Sequence, residues 1–106
     1  MTTLEDLDTV VQELRAEGNR STFTHKLGHI VGVLGTIPDW PSGRLTRAEM
    51  ERLRTLADEV VDTIERRIDS AQDSEDVQQR LAGTVYEVRK RMEAVEIWFR
   101  HHTSDP

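Results

Sequence analysis

Apolar residues recur at helical spacing along almost the whole chain. Leu4, Leu7, Val11 and Leu14 keep a 3-4-3 rhythm, and Val10 widens the stripe. Phe23, Leu27, Ile30, Val31, Leu34 and Ile37 gather on one side at roughly 100° per residue. Met50, Leu53, Ala57, Val60, Val61, Ile64 and Ile68 mark a third face, and Val77, Leu81, Val85, Val88, Met92, Val95 and Phe99 a fourth. No apolar–polar alternation of useful length occurs, so no strand is expected. The pattern predicts four helices over residues 3–16, 22–37, 47–69 and 75–101.

Capping chemistry supports these limits. Thr2 with Glu5 and Thr46 with Glu49 have capping-box spacing, and Gly18 stands where a helix C-cap is expected. Ser21 is a plausible N-cap for the second helix, and Asp73 or Ser74 for the fourth, whose first turn holds Glu75 and Asp76. Pro38, Pro41 and Gly43 make 38–45 the clearest break in the chain. Trp40 inside it is expected to fold back as a lid on the core, with contact to a partner as the alternative.

Helices of about 24 residues reach about 36 Å, whereas the first two are each nearer 15 residues. Two short helices laid against a long helical hairpin give an all-α, antiparallel four-helix bundle in a single domain, residues 1–106. If the short helices leave part of the hairpin open, a second copy of the chain is its natural cover. Tyr86 and Ile97, which project from the back of the fourth helix, point the same way, so a homodimer is expected and both are candidate partner contacts.

Charge and composition narrow the function. A net charge of −6 argues against nucleic acid as the main partner. The nearest basic patch, Arg89-Lys90-Arg91 with Arg100, is interrupted by Glu87, Glu93 and Glu96. The absence of cysteine excludes disulfides, thiolate zinc sites and a cysteine nucleophile. No apolar run approaches the ~18–20 residues of a membrane span, and the first residues lack a signal-peptide pattern. The expectation is a cytoplasmic protein with no membrane and no nucleic-acid partner.

The second helix holds the most unusual residues. Gly28, Gly32 and Gly35 lie within it, and His25, His29, Gly32 and Thr36 line the side opposite the apolar stripe. Each helical glycine costs about 1 kcal/mol relative to alanine. Together they suggest a surface that something approaches closely. His25 and His29 at i, i+4 could share a metal ion, and His101 and His102 add two more imidazoles. A zinc site wants three or four ligands, and the paired Glu-x-x-His motif of di-iron bundles is absent. Metal or haem binding through these histidines is therefore kept as a second alternative, and no cofactor is expected. Asp58, Glu59, Asp62, Glu65 and Asp69 run down the polar side of the third helix among Arg52, Arg54, Arg66 and Arg67 and read as a solvated face.

An exposed imidazole ringed by small residues can act as a nucleophile toward a phosphoryl group. His25-Lys-Leu27, followed by Leu34-Gly35, resembles the signature helix of histidine-containing phosphotransfer domains. It is also similar to the phosphoacceptor helices of sensor kinases, where a loop and a long helix follow. The resemblance covers about a dozen residues. Gly28 and His29 stand where the family has lysine and glycine, and Lys26 replaces the acidic residue common in kinases. It implies His25 as phosphoacceptor, with Lys26 as charge partner for the phosphoryl oxygens and Gly28, His29 and Gly32 flanking. The main expectation is a non-enzymatic interaction or regulatory bundle, with phosphotransfer at His25 as the alternative.

Overall fold

A computed structural model describes residues 4–39 and 45–102, except for the side chain of His102. Thr2, Trp40, Ser42 and Ser104 lie outside the described residues, and with them the first capping box and the tryptophan lid. The chain forms α1 (Leu4–Ala16), α2 (Arg20–Thr36), a single 3-10 turn (Ile37–Asp39), α3 (Arg47–Asp69) and α4 (Glu75–His102).

These are the four helices expected from the apolar pattern, and their lengths of 13, 17, 23 and 28 residues give two short helices and a long hairpin. Successive helices run antiparallel. Around the bundle, α1 packs on α2 and α3, and α4 packs on α2 and α3. Thus α1 and α4 occupy one diagonal and α2 and α3 the other. The side-chain bonds Arg52–Asp8, Gln12–Glu59 and Arg67–Gly18 climb both helices together, so α1 runs parallel to α3.

Two helix ends depart from the sequence expectation. Asn19, not Ser21, caps α2: its Oδ1 accepts the Thr22 amide at 3.1 Å and its carbonyl accepts the Phe23 amide. Asparagine is as good a cap as serine, and starting there adds two residues to the helix. Gly18 is not a left-handed cap; α1 ends on a bond from the Glu17 amide to the Leu14 carbonyl, and the Gly18 carbonyl is used elsewhere. At the end of α3 the left-handed residue is Ala71, with φ 57°. The Thr46–Glu49 capping box forms in both directions, and Ser74 rather than Asp73 caps α4, its Oγ accepting the Val77 amide.

The core is mostly apolar, with Arg67 as its buried charged residue among the described residues. Where α2 stops, the 3-10 turn packs on α4, and Ile37, Leu45, Met50, Val95 and Trp98 are all buried. Val33, Leu56 and Trp98 join the core beyond the stripes read from sequence, while Val31, Ile68, Val77 and Phe99 are only partly covered at its edge.

Candidate functional site

The exposed side of α2 carries the histidines. Facing residues on α2 and α4 bound an open groove, with Ser21, His25, Gly28 and Val31 on one wall and Val77, Leu81, Thr84 and Glu87 on the other. His25 and His29 are both exposed, and a Cβ added to Gly28 or Gly32 would meet nothing within 4 Å. Among the described residues nothing therefore needs those two glycines small. Gly35 differs: the Arg91 guanidinium lies over it, where an alanine methyl would collide with this movable group.

Arg20 and Arg80 line the same groove as His25 and give it a cationic rim. Lys26 does not join them. It turns toward α1 and pairs with Glu13 at 3.1 Å. The reason is angular: at roughly 100° per residue, Lys26 lies a quarter turn from His25, on the α1 side of the helix. Lys26 thus stands in an ion pair with Glu13, and Arg20 and Arg80 are cations that line the groove beside His25.

For metal, no group of three or more His, Cys, Asp or Glu converges among the described residues. His25 and His29 share one helix face, while His101 lies near the end of α4 that packs beside the 3-10 turn, away from the groove.

On α4, Tyr86 is 63% exposed and Ile97 48%, the large apolar side chains left in solvent among the described residues. Both lie on the outer side, as the wheel of α4 requires. Lys90 sits over the Tyr86 ring, 5.7 Å from its centroid.

One polar cluster escaped the sequence reading. Arg67, grouped with the solvated residues of the third helix, is buried. Its Nε donates to Asp73 Oδ2 at 2.7 Å and its Nη2 to Oδ1 at 3.2 Å, while Nη1 donates to the Gly18 carbonyl at 3.1 Å. The guanidinium also lies 5.0 Å from the centre of the Phe23 ring. A forked cation is suited to such a bidentate contact. The Arg67 hydrogen bond holds the Asp73 carboxyl below its usual value of 3.8, against the opposing effect of burial. The cluster joins the α1–α2 turn to the α3–α4 turn and is structural. Its signal was present: Arg67 stands three residues after Ile64 and seven after Val60, on the apolar stripe.

The remaining charges behave as a solvated exterior. Arg52 holds Asp8 at 2.6 Å and lowers its pKa, Arg54 bridges to Glu96 and Glu51, and Arg66 pairs with Asp62. Within the described residues no helix is long and apolar enough to cross a membrane. No protein-family model, no curated protein and no solved structure matches the chain.

Proposed function

We propose that the chain is a small, non-enzymatic interaction or regulatory bundle of the cytoplasm that binds protein through its outer helix faces and associates with itself. The observation that carries this reading is the outer face of α4. Among the described residues the bundle buries most of its large apolar side chains and leaves no buried side-chain polar atom without a partner, yet a tyrosine and an isoleucine stand in water there. Large exposed apolar groups on an otherwise polar helix are what a partner surface supplies. The direct test places a photocrosslinking residue at Ile97, and at Glu65 on the solvated side of α3 as control. Adducts to protein from Ile97 but not from Glu65 are expected. Equal labelling at both, or none at either, would overturn the reading.

A second reading is favoured by one observation, the exposed His25 on a groove rimmed by Arg20 and Arg80 beside Gly28. There an imidazole nitrogen would take the phosphoryl group from a receiver-domain aspartyl phosphate, releasing the free carboxylate, and the two guanidinium groups would hold the phosphoryl oxygens. His25→Gln would abolish acid-labile labelling while leaving the helical signal intact. Labelling that survives in that variant would remove phosphotransfer at this residue.

A further inference from the structure

The outer face of α4 is built as one half of a two-fold seam. Starting from Gly83, the outward positions follow a regular 3-4 rhythm: Gly83, Tyr86, Lys90, Glu93, Ile97 and Arg100. This is the spacing by which one helix keeps a continuous line toward another. All six are exposed except where the Tyr86 ring is partly roofed by Lys90. Gly83 has open space where a Cβ would stand.

Two orientations of a second α4 can be compared. In a parallel pair in register, each residue meets its own copy. Lys90 then faces Lys90 and Glu93 faces Glu93, and both layers repel. In an antiparallel pair about an axis between residues 91 and 92, the layers change. Tyr86 meets Ile97 of the second copy, Lys90 meets its Glu93, and Gly83 meets its Arg100. Each layer then has the alternating geometry of an antiparallel coiled coil, with an apolar pair, an ion pair and a long side chain over a glycine.

The charges at the centre are free for this use. Lys90 has the Tyr86 ring as its contact, and neither Lys90 nor Glu93 takes part in an ion pair within the chain among the described residues. Glu87 and Glu96, which flank the seam, are already neutralised by Arg91 and Arg54. An isologous dimer needs a surface complementary to itself under a two-fold rotation, and this stripe meets that condition in the antiparallel sense alone.

We infer that the occupant of the α4 outer face is a second copy of this chain, packed antiparallel so that Lys90 of each protomer pairs with Glu93 of the other and Tyr86 with Ile97. The inference rests on the self-association proposed above and assigns its surface and orientation. One helix pair with two apolar layers is a small interface, so the dimer is weak and concentration-dependent.

The test is the solution mass across protein concentrations from about 10 μM to 1 mM, the range in which a weak interface fills. The wild-type chain of 12.2 kDa is expected to rise toward twice its mass. Lys90→Glu and Glu93→Lys each place like charges together twice per dimer, and each weakens association roughly tenfold. The combined Lys90→Glu/Glu93→Lys chain restores it, because the antiparallel pairing again joins opposite charges. Circular dichroism confirms that these exposed substitutions leave the helices intact. A mass that doubles in the wild type and ignores the charge reversals would overturn the α4 seam while leaving self-association standing. A wild type that stays monomeric throughout would overturn both the seam and self-association, while crosslinking from Ile97 to a different protein would still support the interaction reading.

Discussion

The two helical hairpins share one core but are constructed to different standards. The second, α3–α4, is long, begins with a complete capping box, and carries the ion pairs Arg66–Asp62 and Arg91–Glu87 at helical spacing. The first, α1–α2, is short, and α2 holds three glycines, two of them facing open space. At about 1 kcal/mol per helical glycine, α2 carries roughly 3 kcal/mol of lost propensity. It holds its shape because Phe23, Leu27, Ile30 and Leu34 are buried against the rest of the bundle. The contrast teaches that helix formation in the first hairpin is borrowed from tertiary packing, whereas in the second it is largely local. It also separates the candidate functions: the histidine groove belongs to the loosely made hairpin wall, and the self-complementary stripe to the firm one.

The largest effect should come from uncoupling the hairpins. Arg67→Ala leaves the Asp73 carboxylate and the Gly18 carbonyl without their donor, and is expected to cost about 2–3 kcal/mol in denaturant unfolding, toward the lower range for a broken buried pair because the cluster lies at the bundle's end. Acid should do the same more gradually. The folded-state pKa of Asp73 lies below its unfolded value near 3.8, so the pair's contribution is present above that pH and is lost as the pH falls through the folded value. An Asp73→Asn chain should show a shallower acid transition below about pH 4. An unchanged acid profile would mean that the pair contributes nothing to folding.

Next in size is the glycine test. Gly28→Ala and Gly32→Ala meet no atom within 4 Å among the described residues, so each is expected to stabilise by up to about 1 kcal/mol and to slow amide exchange in α2 toward the rates of α3. If either substitution destabilises, α2 is not limited by propensity and the contrast between the hairpins fails. The smallest effect is at the α3–α4 turn. Ala71 occupies a left-handed conformation that glycine adopts at less cost, and Ala71→Gly should raise the melting temperature by an amount equivalent to about 0.5–1 kcal/mol.

Much of this fold was legible in the chain, and the reasons are particular. The 3-4 stripes of α1 and α4 and the Thr46–Glu49 box are local signals, and they located the helices to within two residues. The α2 start moved because Asn19 and Ser21 are both competent caps and local chemistry does not rank them. Trp98 was passed over because it sits beside Phe99, and spacing alone favoured the latter; packing buries the tryptophan more deeply. Arg67 was grouped by its charge with the solvated face, though its position lay on the apolar stripe. Lys26 follows His25 in the chain, yet neighbours on a helix point a quarter turn apart, and its partner Glu13 on another helix is invisible to local spacing. What periodicity could not supply was the diagonal placement of α2 and α3, because it tells which face of each helix is buried and not which helices are neighbours.

The central claim is that α4, not the histidine face of α2, is the surface that engages a second copy. The most direct measurement is a concentration series of backbone amide spectra on the 15N-labelled wild-type chain. Resonances from Gly83 to Arg100 on the outer side of α4 should move together as protein concentration rises, while those of His25, Gly28, His29 and Gly32 stay fixed. Movement confined to α2, or spectra that do not change with concentration, would contradict it.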